Sequence, residues 1–195
     1  EPIVEMARRK GICVMVDNTF GMGGYLFRPF EWGCNVSVHS ATKWICGHGT
    51  ALGGIVVDGG NFDWTPEKYP LLAAPSESYH GLVYKEVFGD AAFAGRVRVD
   101  GLRNIGPAAS PFNSFLMLQG LETLSLRAER CCQNTLAVAE FLEKHPAVES
   151  VNYPGLKSNP YHELGCKYLK NGFGGVLTFR VKGGFEAAAA LVTRL

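Results

Sequence analysis

Ile12-Cys13-Val14-Met15-Val16 is a continuous apolar run with two β-branched valines, closed by Gly11 on one side and Asp17 on the other. A run this short, without alternation, suits a strand covered on both faces, as in the parallel sheets of α/β proteins. Before it, Glu1–Lys10 places Ile3, Met6 and Ala7 on one helical face, and Gly11 is a natural stop. Val36–Ser40 alternates and reads as a second strand. Leu52–Asp58 reads as a third, separated from the second by Gly47-His48-Gly49-Thr50. Helix, strand, loop, strand, strand predicts an α/β or mixed-sheet domain. The 195 residues suffice for one domain, or one and part of another. Both ends read as cut: the first helix opens without a cap and the helical pattern Phe185–Leu195 ends without one, so an internal segment of a longer protein is expected.

Composition narrows the function classes. With 47% hydrophobic and 19% charged residues, the chain is too core-rich for intrinsic disorder. Lys plus Arg is 19 against 18 for Asp plus Glu, a net charge of +1 with no basic patch, so no nucleic-acid partner is expected. No apolar run approaches the roughly 18 residues of a membrane span. The six cysteines include no C-x-x-C pair and no zinc spacing, which predicts reduced thiols and a cytoplasmic protein. The five histidines, at 39, 48, 80, 145 and 162, are too scattered for a metal site. The 24 glycines cluster at 21–24, 47–54 and 172–175, implying tight turns and close backbone approaches.

Gly59–Gly81 is rich in Gly, Pro and aromatics and reads as one long loop, a feature more often functional than idle. Ser110-Pro111 starts a helical region that runs to about Lys144, where His145-Pro146 ends it. Within it Phe112, Phe115 and Leu116, then Val138, Phe141 and Leu142, recur at helical spacing and are expected in the core. Val148–Tyr153 and Gly175–Val181 read as strands of a second, smaller unit whose boundary falls inside the long helical region.

If the first two strands are parallel neighbours, Asp17 and Ser40-Ala41-Thr42-Lys43 open on the same carboxyl edge of the sheet, where α/β proteins bind ligands. A carboxylate, two hydroxyls and an amine there match a phosphorylated cationic ring. The hydroxyls would take the phosphate, the acid the ring N–H, and the amine a carbonyl: the chemistry of a pyridoxal phosphate site. Taken singly, Asp17 also reads as a turn or cap residue and Lys43 as a surface lysine. Gly47-x-Gly49 is not a dinucleotide fingerprint, because a strand rather than a helix follows it.

The segments Val16-Asp17-Asn18-Thr19-Phe20 and Val38-His39-Ser40-Ala41-Thr42-Lys43-Trp44 resemble the cofactor segment of the Cys/Met-metabolism family of pyridoxal phosphate enzymes, of fold type I. His48-Gly49-Thr50, Phe62-Asp63-Trp64, Ser78-Tyr79-His80-Gly81, Ser110-Pro111-Phe112-Asn113, Leu118-Gln119-Gly120-Leu121-Glu122-Thr123-Leu124 and Val151-Asn152-Tyr153-Pro154-Gly155-Leu156 are similar to its O-acetylhomoserine sulfhydrylase branch. The resemblance covers essentially the whole chain. It implies a mixed, mostly parallel sheet in a large cofactor-binding domain (residues 1–125), followed by a linking helix and an incomplete, smaller α+β C-terminal domain (residues 126–195).

By the same resemblance, Lys43 is the catalytic lysine that binds the cofactor covalently as a Schiff base, Asp17 the partner of the pyridine nitrogen, and Ser40 and Thr42 phosphate-binding hydroxyls. The implied reaction is γ-replacement: O-acetylhomoserine loses protons at Cα and Cβ and expels acetate, and sulfide or a small thiol adds to give homocysteine or methionine. A cytoplasmic homo-oligomer, a homotetramer in the family, is implied as well. Alternatives are a γ-synthase or γ-lyase of the same family, or a non-catalytic homologue serving as an assembly module. The family's ring-stacking Tyr, its Gly-Met phosphate loop and its carboxylate-binding Arg have no counterpart in residues 1–195, so this segment alone is expected to be inactive. Cys131 stands where the branch has a histidine, and Cys46 where a glycine is common.

Overall fold

Pro2 occupies the first turn of helix α1 (Pro2–Arg9), where its missing N–H costs nothing. Glu5 near the start and Arg8 and Arg9 in the last turn complement the helix dipole. Val4 and Ala7, three residues apart, form the buried face. Gly11, at φ +57°, turns the chain out of the helix as expected. A computed structural model describes Glu1–Arg194.

Strand β1 (Met15–Asp17) runs parallel to β2 (Val36–Ser40), in register Met15 to Val36 and Asp17 to Val38. Strand β3 (Gly54–Asp58) pairs antiparallel with the other side of β2, giving a mixed sheet in the order β1-β2-β3. The expected strand Ile12–Val16 is therefore shorter and shifted toward Asp17. It is not buried on both faces either: Ile12 and Met15 are about half exposed, and among the described residues β1 pairs on one side only. Central β2 carries the buried pair Val36 and Ser37 instead. Asn35 holds the strand entrance, accepting the Val14 N–H at 2.8 Å and donating to Asn61 Oδ1 at 2.9 Å.

The stretch after β3 carries one short α-helix within the expected loop Gly59–Gly81 and further ones beyond it. Short helices α2 (Pro70–Ala73), α3 (Tyr84–Phe88), α4 (Ala92–Arg96) and α5 (Arg103–Ile105) punctuate it, with a wide helical turn at Val97–Leu102. Helices α2, α3 and α4 close on Trp64, Leu72, Tyr84 and Ala92, with Phe62, Tyr69 and Phe93 packed against these. Trp64 meets Tyr69 edge-on at 5.1 Å and stacks on Phe93 at 5.8 Å. Asp58, at the end of β3, accepts the Ala94 N–H, and Tyr69 Oη bridges the Cys13 N–H and the Gly11 carbonyl. Burial and the nearby Asp58 push the Cys13 thiol up to about 11.

Helix α6 (Pro111–Glu122) begins where Ser110-Pro111 predicts, and α7 (Leu124–Lys144) ends at His145 as expected. The single helical region breaks at Thr123. The buried face of α6 also differs from expectation: Phe112, Phe115, Leu118 and Leu121 are exposed. Asn113, Ser114, Leu116, Met117 and Gly120 are the less exposed residues among Pro111–Gly120, and at 100° per residue all but Ser114 form one narrow stripe, with Ser114 at its margin. Gly120 decides this. A Cβ there would sit 2.0 Å from the Cys46 carbonyl oxygen, so the helix approaches the turn after Lys43 through its glycine. A helix apolar on all sides offers no periodic signal to choose between faces.

The chain divides into two units, one formed by Glu1–Gly24 with Arg28–Glu122, the other by Tyr25–Phe27 with the chain from Thr123 onward. In the second, β4 (Val148–Asn152) pairs antiparallel with β5 (Thr178–Val181), beside α7, α8 (His162–Tyr168) and α9 (Gly184–Val192). The expected strand from Gly175 starts only at Thr178, and Leu195 of the expected last helix lies outside the described residues. Val138 and Phe141 of α7 are exposed, contrary to expectation. The core is Ala139, Tyr153 and Leu156, with Leu136, Val151, Phe173 and Leu177 around it. Tyr153 is fully buried and donates to the Gly174 carbonyl at 2.9 Å; burial pushes its hydroxyl up to about 12. Among the described residues no helix is long and apolar enough to cross a membrane.

Gly120→Ala is expected to destabilise the protein by about 1–3 kcal/mol, because backbone rather than a movable side chain fills the space. Urea unfolding of the variant against the wild type measures it.

Candidate active site at the carboxyl edge of the sheet

The parallel pairing of β1 and β2 puts Asp17 opposite Val38, so Asp17, Val38 and Ser40 share one face of the sheet. Asn18 extends the ladder by one bond, its N–H donating to the Val38 carbonyl at 2.7 Å. Thr19 then doubles back. Its hydroxyl donates to Asp17 Oδ1 at 2.6 Å and its backbone N–H donates to the same oxygen at 3.0 Å. The hydroxyl oxygen in turn accepts the Ser40 N–H at 2.8 Å. One side chain thus ties the two strand tips together and fixes the rotation of the carboxylate.

Both Thr19 donors favour the ionised acid and hold the Asp17 carboxyl below its usual range. Among the described residues Asp17 Oδ2 has no hydrogen-bond partner, and neither do Ser40 Oγ and Lys43 Nζ. Asp17 and Lys43 are exposed and Ser40 is half-buried. Thr42 differs: its hydroxyl donates to the Gly53 carbonyl at 3.3 Å and accepts the Gly53 N–H at 3.1 Å. To reach a phosphate, that proton must leave a long, weak bond.

Lys43 rides on a helical turn closed by Lys43 N–H to Ser40 O, Cys46 N–H to Ala41 O and Gly47 N–H to Lys43 O. Ala41, Ile45 and Cys46 are buried and anchor it. The Thr50 hydroxyl, followed by the backbone N–H groups of His48, Thr50 and Ala51, holds the Cys46 thiol below its ordinary value against the opposing effect of burial. Cys46 therefore organises the loop beyond the lysine.

On the opposite face of β2, His39 and Ser37 are buried and 3.0 Å apart, His39 Nε2 to Ser37 Oγ. His39 Nδ1 is buried without a hydrogen-bond partner among the described residues. Burial lowers the His39 pKa, and the Asp17 charge partly offsets this, so the ring is neutral near pH 7.

Of the residues singled out in the sequence, Asp17 and Ser40 are brought together through Thr19, and Lys43 follows on the same turn as Ser40. Thr42 is turned toward Gly53. Thr19, Asn18 and His39 were given no role at that stage. The Asp-x-Thr spacing of a side-chain-capped turn could have pointed to Thr19. Gly21 has a similar local cause: a Cβ there would strike Asn18 Oδ1 at 2.0 Å. Nothing local in the sequence marks the unpartnered nitrogen of His39.

An acid with one unpartnered oxygen, a hydroxyl and an amine thus stand at the carboxyl edge of a parallel strand pair in an α/β protein, the edge where such proteins bind ligands. The chain belongs to the Cys/Met metabolism PLP-dependent enzymes, whose family profile matches residues 1–195. It is 52% identical over its full length to O-acetyl-L-homoserine sulfhydrylase 1 of Thermus thermophilus, of which it covers 46%. It is 55% identical over 184 residues to the homocysteine/cysteine synthase of Kluyveromyces lactis, covering 93% of this chain and 41% of that protein. Its fold is similar to the crystal structure of a putative O-acetylhomoserine (thiol)-lyase from Campylobacter jejuni that contains N'-pyridoxyl-lysine-5'-monophosphate. The TM-score is 0.87 at 39% identity, over 93% of this chain and 44% of that one. The chain thus spans less than half the length of these relatives.

Removing the Thr19 hydroxyl tests the tie. In Thr19→Val the Asp17 titration midpoint, followed by carboxyl-carbon NMR, is expected to move up toward the usual carboxylate value, while Thr19→Ser keeps it low. A depressed carboxyl stabilises the fold above its unfolded pKa of about 3.9 and loses that contribution as pH falls through the folded value. The gap between Thr19→Val and wild type in Asp17 linkage therefore closes in acid. The Ser40 N–H left without an acceptor costs about 1 kcal/mol at any pH.

Proposed function

We propose that the whole protein binds pyridoxal phosphate at this edge and catalyses γ-replacement on O-acetylhomoserine, with sulfide or a small thiol as the second substrate and homocysteine or methionine as the product. The observation that carries this reading is the set of three uncommitted groups, Asp17 Oδ2, Ser40 Oγ and Lys43 Nζ, beside a carboxylate already oriented by Thr19. The names of the relatives at 52% and 55% identity support the substrate.

When bound, the cofactor supplies an aldehyde that condenses with amines and a protonated ring that withdraws the electron pair left by a departing proton. Asp17 Oδ2 accepts the ring N–H and, held ionised by Thr19, keeps that nitrogen protonated. Ser40 Oγ donates to the phosphate, and Thr42 joins it once its hydroxyl turns from Gly53. Lys43 Nζ anchors the aldehyde carbon at rest. Its amine would be the base that takes the Cα proton of the amino-acid substrate and moves the Cβ proton as acetate leaves. Its exposure leaves room for that substrate.

The same proposal places the protein in the cytoplasm as a homo-oligomer. Six free thiols fit a reducing compartment, and the exposed row Phe112, Phe115, Leu118 and Leu121 on α6 fits burial in an assembly.

The full-length protein given O-acetylhomoserine and sulfide is expected to release acetate and homocysteine. Turnover of methionine or cystathionine alone, with no replacement, would refute the substrate assignment. Lys43→Ala is expected to abolish the borohydride-trapped adduct on this peptide and to lower turnover by at least about 10²-fold. Asp17→Asn is expected to cost far more in turnover than in retained cofactor; equal losses would count against its role.

A further inference from the structure

A second pair of reactive side chains lies far along the chain from Lys43, in the unit that starts at Thr123. His162 and Cys166 stand four residues apart on α8, hence on one helical face. His162 Nδ1 lies 2.8 Å from the Pro154 carbonyl, which can only accept, so Nδ1 carries the proton and Nε2 presents its lone pair. That lone pair faces Cys166 Sγ at 3.6 Å. The imidazole is held in place: it stacks on Phe173 at 5.3 Å and 25°. Gly165 lets the helix come close to the same ring and to Pro154, a Cβ there falling 3.1 Å from Phe173 and 3.4 Å from Pro154.

Nucleophile, base and a third group that orients the base form the signature of an activated nucleophile. The other five thiols lack it. Cys34, Cys46 and Cys132 are buried, Cys13 and Cys131 are partly covered, and Cys166 alone is exposed. Lys167 follows Cys166 directly and Lys170 comes four residues on, against the one acid Glu163 three residues before, a net positive sequence neighbourhood that favours an anionic co-reactant.

We propose that Cys166 and His162 form a thiol-exchange site at which Cys166 is the nucleophile, His162 its base, and the co-reactant a small anionic disulfide. His162 Nε2 takes the thiol proton as Cys166 Sγ attacks one sulfur of the disulfide. The disulfide S–S bond breaks as the new bond to Cys166 forms, and the departing thiolate leaves with the proton from His162. The product is a mixed disulfide on Cys166, and a second thiol reverses it by the same path. The site is separate from the Lys43 chemistry and does not depend on it.

The full-length protein is treated with 5,5′-dithiobis(2-nitrobenzoate) at pH 7, the released thiolate is followed by absorbance, and the modified peptide is mapped. Cys166 is expected to be labelled first, at least about tenfold faster than N-acetylcysteine in the same buffer. His162→Asn keeps an amide donor for the Pro154 carbonyl but has no base, and is expected to slow labelling by a similar factor, with free imidazole restoring part of the rate. First labelling on another cysteine, a wild-type rate no greater than that of N-acetylcysteine, or a slowed variant that imidazole does not restore would each overturn the proposal. If His162→Asn fails to fold, the wild-type comparison with N-acetylcysteine decides alone.

Discussion

The candidate site depends on one hydroxyl group. Thr19 Oγ1 has a single proton, which goes to Asp17 Oδ1, and its lone pair receives the Ser40 N–H. Those two bonds turn the ends of β1 and β2 into one piece, so the acid and the Ser40–Lys43 turn cannot drift independently. Parallel pairing makes this possible, because only then do both strands finish at the same edge. The carboxylate keeps Oδ2 without a partner among the described residues because both Thr19 donors fall on Oδ1.

Around that tie the unit is built to hold a turn rather than to fill a large core. Gly120 brings α6 against the carbonyls of Ile45 and Cys46, and Gly53 leaves room for Met117. Across the glycine-rich loop the Thr42 hydroxyl exchanges two hydrogen bonds with Gly53, and the Thr42 N–H donates a third to the Gly53 carbonyl. Beyond β3, Asp58 accepts the Ala94 N–H of α4, and an aromatic cluster gathers α2, α3 and α4, each too short to be stable alone. The second unit repeats the logic on a smaller scale, with Tyr153 buried among aliphatic neighbours and its hydroxyl satisfied by Gly174.

Much of this was legible in the residues. Val36–Ser40 alternates and is flanked by turn residues, and its strand has the expected limits. Ser110-Pro111 and His145-Pro146 carry start and stop chemistry, and the helices begin and end there. Asp17 and Lys43 stood out because strand ends in α/β sheets concentrate ligand chemistry. Helices α3 to α5 were not legible. They are short elements without side-chain caps, and Tyr84 of α3 and Phe93 of α4 pack in one cluster with Trp64, which lies well before them in the chain. The working face of α6 was not legible either, since Phe, Leu and Met surround that helix and a glycine selects the contact.

The order of elements, the strand-end acid and the lysine turn followed from the sequence itself, because hydrophobic runs, glycine stops and proline starts act through neighbouring residues. Which oxygen of Asp17 Thr19 leaves without a bond, where the hydroxyl of Thr42 points, that among the described residues β1 pairs on one side only and that His162 faces Cys166 were decided only by the tertiary structure. Each of these depends on where a hydrogen bond or a packing contact finds its partner, and that partner is brought into reach by folding rather than by proximity along the chain.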